Sequence, residues 1–548
     1  MSSYDAIIIG AGLSGALTAE ALASAGFKVL VLEAGADYID RNKYLERFYA
    51  ADIKTPESAY PSYPQALFPR TEAVNDYFIQ TGPQQFKSTY IRMLGGTTLH
   101  WLGTCLRLHP NDFQLKTLYD VGKDWPISYA ELEPWYGKAE QALGVAGNSQ
   151  IKTYAPRSQS YPMPEIPMTY LAKMVQKKLA TTSFENMPIQ VLPTPQARNS
   201  VNGYQNRPVC CGSHSCIPIC PVQAKYEALV HINLAKQKGA VFQTESVVDR
   251  LEVEQSGSIS AVHYLRWDGS KHSISAKVYI LAAHGIETPK ILLNSRNSRF
   301  PNGIANSSDQ VGRNLMDHPS QLSFAIANDP VYPKRSPLST AGIESLMDGP
   351  FRKKYAGFRT QIDDNGNYWT QHTPFSTVEK FVQQNLFGED LNKAIQDSVT
   401  HEISIESLLE QLPNPTNRVT LAEKRDSLGI PRPQIYFDLD EYLYAGLARA
   451  RKFHQLALEK IGVTHINHYP DQEWQPSGHI MGTTVMGNDP KTSVVDKNLC
   501  SHDHPNLFIL GSSVFPTSGC VNPSLTIAAM TLQANQAIMQ KIKGLSVA

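Results

Sequence analysis

Four of the seven cysteines of this 548-residue chain fall within eleven positions, at Cys210, Cys211, Cys216 and Cys220. Thiolates are soft ligands that suit zinc or iron–sulfur clusters. The spacing C-C-x4-C-x3-C differs from the paired C-x2-C of zinc ribbons. It shares only the final C-x3-C with the C-x2-C-x2-C-x3-C cysteine motif of bacterial ferredoxins. It therefore admits a [3Fe-4S] cluster on three thiolates, a zinc knuckle, or structural disulfides. Since two adjacent thiols do not easily bind one cluster, Cys210 and Cys211 are expected to have different roles.

A glycine-rich turn near the N-terminus predicts a dinucleotide site. Gly10, Gly12 and Gly15 form a G-x-G-x-x-G pattern between an apolar strand-like run and an alanine-rich helical segment. The first glycine permits the turn, the second lets a pyrophosphate approach, and the third packs the helix against the strand. Glu33 ends the next apolar strand and is placed to bind ribose hydroxyls. This unit alone does not distinguish NAD from FAD.

Composition limits the functional class. Hydrophobic residues make up 42% of the chain, and 50 basic residues balance 50 acidic ones. The chain has no excess of basic residues that would indicate binding of nucleic acid, and no apolar stretch reaches the roughly 18 residues of a membrane-spanning helix. No basic segment precedes an apolar run at the N-terminus, so no signal peptide is expected. We expect a cytoplasmic protein, or one exported together with a partner that carries a signal.

The C-terminal third contains a histidine and an asparagine in glycine-rich surroundings. His479 lies in the segment 477–487 and Asn522 in the segment 519–528. Together with three other motifs and the N-terminal fingerprint, they resemble the glucose-methanol-choline (GMC) oxidoreductase family over nearly the whole chain. This resemblance implies FAD as the cofactor. The other three motifs are the Gly95-Gly96 loop, residues 285–289 and residues 311–319.

Segments 119–125, 195–200 and 210–221 also resemble the flavoprotein subunits of bacterial membrane-linked sugar dehydrogenases, which act on glucose, fructose or glucosides. That resemblance implies a [3Fe-4S] cluster bound by Cys210, Cys216 and Cys220. It implies a sugar or glycoside substrate, and a small signal-bearing subunit that Cys211 would be free to join by a disulfide. A cytochrome c-type subunit would accept the electrons. The protein would then be periplasmic and held at the inner membrane through its partners.

The pattern departs from those dehydrogenases at two positions near the expected substrate pocket. Leu99 stands where they tend to have tryptophan, and Pro523 where they tend to have a non-proline residue. The identity of the sugar therefore stays open. Two other interpretations also stay open: a GMC oxidase that reduces O2 and has a structural cysteine loop, and a flavin-bearing redox adaptor without a substrate.

The resemblance and simple proton chemistry assign roles to the C-terminal pair. Oxidising an alcohol carbon requires removal of the hydroxyl proton, which a neutral imidazole can accept. We therefore predict His479 as the base and Asn522 as the residue that orients the hydroxyl. His318 is interpreted as a structural residue of a recurrent turn. The predicted cofactor-binding residues are Gly10, Gly12, Gly15, Glu33, Gly95, Gly96, Thr97, His100, Val247, Gly511, Ser512 and Pro523.

His100 raises a separate question, because some GMC members attach the flavin methyl group covalently to a histidine in this loop. The sequence leaves open whether His100 does so. Release of all flavin on acid precipitation would exclude the bond.

The predicted fold is α/β, and α+β overall. Residues 1–325 and 476–548 are expected to form a discontinuous Rossmann-like FAD-binding domain, with an inserted iron–sulfur segment at 205–225. Residues 326–475 are expected to form a substrate-binding domain that contains a sheet. Residues 36–90 look irregular, and helices are predicted at 224–238, 289–294 and 441–460, with another near 522–543.

Overall fold

The computed structural model describes residues 4–547 except residues 39, 53, 72, 153–154, 334, 365–375 and 471–472. Strands and helices are numbered in chain order. A five-stranded parallel sheet carries the N-terminal glycine turn. In spatial order its strands are β19 (Leu507–Ile509), β11 (Ala276–Leu281), β1 (Tyr4–Ile9), β2 (Val29–Leu32) and β7 (Val241–Gln243).

This sheet is covered by helices because its strands are apolar along nearly their whole length, as in sheets buried on both faces. Residues 6–9 of β1 and all of β2 are buried. The helix after the glycine turn, α1 (Leu13–Ser24), packs against α7 (Leu229–Gln237) and α12 (Ser524–Val547). The predicted Rossmann-like unit is therefore confirmed.

A second large sheet has six antiparallel strands. Its spatial order is β18 (Val463–His468), β12 (Ser320–Ala327), β15 (Glu402–Leu409), β14 (Phe358–Asp363), β13 (Ala341–Ile343) and β6 (Val191–Pro193). The helix α11 (Glu441–Ile461) packs on it, and α6 (Tyr170–Leu179) packs on α11. Since β6 precedes residue 326 and β12 starts at Ser320, this sheet begins before the predicted boundary of the substrate-binding domain.

Two three-stranded sheets and a short hairpin complete the strand set. One sheet comprises β8 (Ser246–Val253), β9 (Ile259–Arg266) and β10 (Lys271–Ile274), and the other comprises β16 (Arg418–Arg425), β17 (Pro431–Tyr436) and β3 (Ile79–Gln80). The hairpin pairs β4 (Ser183–Phe184) with β5 (Met187–Pro188). The remaining α-helices are α2 (Arg41–Ala50), α3 (Pro56–Ala59), α4 (Leu115–Tyr119), α5 (Tyr129–Leu143), α9 (Ser376–Gln383) and α10 (Gly388–His401).

Two expectations about helices were wrong. Residues 36–90, expected to be irregular, contain α2, which Asp40 caps by accepting a hydrogen bond from the backbone of Asn42. The helix predicted to start at Pro289 is α8 (His284–Asn294) and begins five residues earlier. Proline removes one helical N–H, and the carbonyl of Gly285 that would have accepted it instead accepts the Thr483 hydroxyl at 2.8 Å.

The helix predicted at 224–238 is shorter than expected, because its first residues pair with an extended segment. The backbone N–H of Tyr226 donates to the carbonyl of Ala197 at 2.8 Å. Within the residues that the structure describes, no helix is both long and apolar enough to span a bilayer.

A buried ion cluster joins distant parts of the chain around Arg352. Its guanidinium lies 2.8 Å from Asp112 and 3.0 Å from Asp348, and it also pairs with Glu410 at the end of β15. The Arg352 side chain is fully buried. Removing this one cation would leave the buried carboxylates of Asp112 and Glu410 without their counter-ion.

We expect Arg352→Met to lower the free energy of unfolding by about 3–5 kcal/mol, because two buried carboxylates lose their counter-ion. The matched control is Arg70→Met, since the Arg70–Asp76 pair is exposed on both sides and should cost less than about 1 kcal/mol. Urea unfolding midpoints of both variants check this. Equal midpoints for the two variants would contradict the role given to the cluster.

Candidate active site

One cavity of about 710 Å³ brings together most of the motifs singled out in the sequence. It opens at the carboxyl ends of β1 and β2, where open parallel sheets usually bind ligands. Part of its wall comes from the glycine turn and part from the six-stranded sheet. Its lining includes Gly10, Gly12, Glu33, Gly96, Thr97, His100, His479, Gly511, Ser512, Asn522 and Pro523.

The glycines at this cavity are required by close backbone approaches. Gly10 has a φ of +100°, and a Cβ on it would lie 2.5 Å from the carbonyl oxygen of Ala282. A Cβ on Gly15 would lie 1.9 Å from the carbonyl oxygen of Gly10, which fits the packing role predicted for the third glycine. A Cβ on Gly96 would lie 3.0 Å from Gly12, so the two glycine loops touch.

Glu33 lies at the end of β2 and faces the cavity. Its carboxylate accepts backbone hydrogen bonds from Ala11 at 2.8 Å and from Gly35 at 2.9 Å. Burial raises the pKa of Glu33, and these two N–H groups oppose the rise. Each carboxylate oxygen keeps a second acceptor position, which a ribose hydroxyl could use.

Two of the predicted cofactor-binding residues, Gly95 and Val247, do not line the cavity themselves, although residues beside them do. Gly95 precedes the lining residues of its loop, and its N–H donates to the carbonyl of Ala11 at 3.2 Å. On β8, Ser246 and Val248 face the cavity, whereas the Val247 side chain packs in a separate apolar cluster. The alternation of side chains along a strand explains this placement.

Several buried polar atoms of the lining have no partner within the described chain. They are Nε2 of His100, Oγ1 of Thr104, Nδ1 of His284 and Oδ1 of Asn522. Buried polar atoms in folded proteins are normally hydrogen-bonded. With the glycine turn and the cavity beside it, these atoms fit a bound dinucleotide that supplies their partners. Burial and the nearby Lys225 lower the pKa of His100 to about 3, so its imidazole is neutral.

His479 and Asn522 come together as predicted, although they lie 43 residues apart. Nε2 of His479 is 3.0 Å from the amide nitrogen of Asn522. On its other side, Nδ1 of His479 is 2.9 Å from Nδ1 of His318. The base candidate is thus held at both ring nitrogens.

Hydrogen-bond partners assign the tautomers of both histidines. Nε2 of His318 is 3.3 Å from the carbonyl oxygen of Ser518, which can only accept, so this nitrogen carries the proton. Nδ1 of a neutral His318 must then accept, and Nδ1 of His479 must donate to it. Nε2 of His479 consequently keeps its lone pair, which faces the amide of Asn522.

Burial keeps this pair of imidazoles neutral. It lowers the pKa of His318, and it lowers the pKa of His479 well below the usual value, with smaller contributions from His318 and Arg359. Sequence reasoning missed the contact of His318 with His479. Its turn motif predicts a structural residue, and no spacing between positions 318 and 479 indicates that the two rings meet.

The backbones that carry these rings are held by Asp317. Its Oδ1 accepts the backbone N–H of His318 at 2.7 Å and that of His479 at 2.8 Å. The Ser88 hydroxyl donates to the other oxygen. The N–H of Asp317 itself donates to the side chain of Gln411 at 2.8 Å.

The cysteine segment borders the same cavity. Residues 213–215 and 217 form part of its lining. Cys216 and Cys220 are buried, Cys210 is half-buried, Cys211 is exposed, and none of the seven cysteines of the chain is paired with another. Burial raises the pKa of Cys210, and the neighbouring Cys216 and Cys220 add to the rise, so the three thiols lie near one another.

Cations hold this segment in place. The ammonium of Lys225 donates to the carbonyls of Leu99 at 3.0 Å, Trp101 at 2.6 Å and Cys216 at 3.0 Å. Arg41 donates to the carbonyl of Cys220 at 2.6 Å. Across the described part of the chain, no group of three His, Cys, Asp or Glu side chains is arranged to hold a metal ion.

Comparisons with known proteins agree with this site. Two GMC oxidoreductase family models match residues 185–320 and 413–531, and a model of the NAD(P)-binding Rossmann-like domain matches residues 8–38. The fructose dehydrogenase large subunit of Gluconobacter japonicus is 38% identical, over 99% of this chain and 98% of that protein. Paromamine 6'-oxidase of Streptomyces fradiae is 27% identical, over 98% and 91% of the two chains.

The fold is also similar to that of solved structures. The crystal structure of pyridoxine 4-oxidase from Mesorbium loti superposes with a TM-score of 0.66 at 17% identity, covering 98% of this chain and 99% of that one. At such identity the likeness concerns the fold alone. The full-length relative at 38% identity and the two family models agree with each other. The chain therefore belongs to the GMC oxidoreductase family and is an FAD-dependent oxidoreductase that acts on CH–OH groups.

Proposed function

We propose that the protein is a sugar or glycoside dehydrogenase that delivers electrons through a [3Fe-4S] cluster to an external acceptor. The observation that carries the proposal is the approach of His479 and Asn522, 3.0 Å apart, on the cavity that the dinucleotide turn also lines. A relative at 38% identity is the large subunit of a fructose dehydrogenase, which favours a sugar as substrate.

The chemistry follows from the assigned tautomers. The lone pair on Nε2 of His479 accepts the proton of the substrate hydroxyl, and the Asn522 amide donates a hydrogen bond to the same oxygen. Loss of this proton raises the electron density on oxygen, which allows the carbon to release its hydrogen with two electrons. FAD, held by the glycine turn, would accept that hydride. His318 keeps the ring of His479 oriented during proton transfer.

We expect His479→Ala to slow substrate-driven bleaching of the flavin by about 10²- to 10⁴-fold, the usual contribution of a general base. Stopped-flow absorbance at saturating substrate measures it. His272→Ala is the matched control, because His272 lies exposed on β10, outside the cavity lining. Undiminished bleaching in the His479 variant would instead favour a base elsewhere, or a redox adaptor without a substrate of its own.

The lowered pKa of His479 gives a pH prediction. Protonation of Nε2 removes the lone pair that accepts the substrate proton. Because the pKa of His479 lies well below the usual value, this protonation occurs only at lower pH. The bleaching rate should therefore change less than about twofold between pH 7.5 and 5.5, whereas a histidine with a pKa near 6.5 would lose about tenfold. A loss of that size centred near pH 6.5 in the stopped-flow profile would contradict the assignment.

The electron route is proposed from the cysteine segment. Its thiols suit iron and sulfur chemically, and the segment lines the flavin cavity at residues 213–215 and 217. Lys225 donates to the carbonyl of Cys216, and Arg41, which also pairs with Glu227, donates to the carbonyl of Cys220, so the backbone of both ligand candidates is held in place. The thiolates that bind a cluster of several irons also lie farther apart than the ligands of a single metal ion. Cys210, Cys216 and Cys220 are the proposed ligands.

We expect Cys216→Ser to lower the iron content and to stop electron transfer to an artificial acceptor, while flavin bleaching by substrate continues. Iron analysis, electron paramagnetic resonance and acceptor reduction measure the three quantities. Cys500→Ser is the matched control, because Cys500 is a half-buried thiol outside the segment. Holoprotein without iron, or full acceptor coupling in the variant, would instead favour an oxidase, which peroxide production in air would identify.

The partners and location belong to the same proposal. Cys211 is exposed beside the buried cysteines, so it is accessible for a disulfide with a small signal-bearing subunit. A cytochrome c-type subunit would accept the electrons. The assembly would work in the periplasm at the inner membrane, and the chain would reach the membrane only through these partners.

A further inference from the structure

The cavity has a polar wall that the proton chemistry does not use. It lies on the face of the six-stranded sheet that is turned towards His479. Glu406 of β15 stands between its cross-strand neighbours Gln361 of β14 and Leu322 of β12. All three residues line the cavity.

The position of the Glu406 carboxylate is fixed by two donors. The Ser320 hydroxyl donates to Oε1 at 2.6 Å, and the amide of Gln361 donates to Oε2. A carboxylate offers about four acceptor positions. Two of them therefore stay available on a carboxylate that lines the cavity.

The wall continues on the other side of β12. The backbone of Gln475 pairs with that of Ser320, and the N–H of Tyr469 donates to the carbonyl of Leu322 at 3.0 Å. The side-chain amide of Gln475 donates to the Tyr469 hydroxyl. The lining thus combines a carboxylate, two amides and a phenol with apolar surface from Leu322. This mixture suits the hydroxyls and C–H groups of a polyol.

This wall adjoins the base. Ser320, which holds Glu406, follows His318 by two residues, and His318 contacts His479 at 2.9 Å. A substrate with its reacting hydroxyl at His479 would therefore extend its other groups along Glu406 and Gln361.

Both oxygens of Glu406 accept hydrogen bonds, from the Ser320 hydroxyl and the Gln361 amide, which favours the carboxylate form. Burial raises the pKa of Glu406, the Ser320 and Gln361 hydrogen bonds oppose the rise, and burial raises the pKa of Asp363 more strongly. The other charged groups that act on Glu406 are Arg359 and Asp317. Arg359 is paired with Glu344 at 3.0 Å, and the described residues show no ion pair between Arg359 and Glu406, although Arg359 lies near enough to lower the pKa of Glu406.

We propose that Glu406 determines substrate specificity by accepting hydrogen bonds from the non-reacting hydroxyl or ammonium groups of a polyhydroxylated substrate and by repelling substrates that carry a carboxylate. The inference rests on the proposed function and adds the charge class of its substrate. Neutral sugars and amino sugars fit this wall, whereas aldonates do not.

Kinetics of flavin bleaching with fructose, glucosamine and gluconate test the proposal. In the wild type, we expect a KM for gluconate at least about 10-fold above that for fructose, the size of one lost charged contact. Glu406→Leu should raise the KM for fructose about 10-fold or more. Glu406→Gln keeps the shape and removes the charge, so it should raise the KM for glucosamine and lower that for gluconate, with kcat nearly unchanged.

Glu423→Gln is the charge-matched control, because Glu423 is exposed on β16, away from the cavity lining. Flavin absorbance confirms that each variant is folded, and the wild-type ranking of the three substrates remains decisive if a variant does not fold. Equal use of gluconate and fructose by the wild type, or unchanged selectivity in Glu406→Gln, would overturn the inference alone. If no polyhydroxylated compound bleached the wild-type flavin, the proposed function itself would fail.

Discussion

The carboxylate of Asp317 joins the two halves of the candidate active site. A single oxygen accepts the backbone N–H groups that precede the rings of His318 and His479. Taking a carboxylate out of water is costly unless donors replace the lost hydration, and here two backbone groups and the Ser88 hydroxyl do so. Backbone pairing of Met316 with Met481 and of Ser320 with Gln475 also joins the segment that enters β12 to the segment that carries His479, and Asp317 adds the link at the two histidines themselves.

Much of the dinucleotide unit could be predicted from sequence because local rules determine it. The glycine turn, the buried strands and α1 each follow from the spacing and apolarity of adjacent residues, and five parallel strands confirm them. The start of α8 could not be predicted this way. Pro289 favours a helix start, but the carbonyl that loses its helical donor finds the distant hydroxyl of Thr483.

The residues of the candidate active site differ in the same way: local sequence patterns predict some of them and not others. His479 and Asn522 each lie in a recognisable motif, so a resemblance could pair them. His318 and Glu406 depend on strand register and on the contact between distant loops, which no local pattern encodes. Glu406 meets Gln361 only because β14 and β15 pair with that register, and a shift of β15 by one residue would turn the Glu406 side chain to the opposite face of the sheet.

The chain of hydrogen bonds behind His479 ends at a carbonyl oxygen of the backbone, that of Ser518. A carbonyl can hold a proton donor in place, but it cannot take a proton and pass it on. Burial lowers the pKa of His318, so a second charge behind His479 is unfavourable as well. In the role proposed for His479, a proton that it gains has no inward path through the hydrogen bonds of the described residues. That proton would leave through the cavity, so recovery of the neutral base would depend on access of solvent to the cavity.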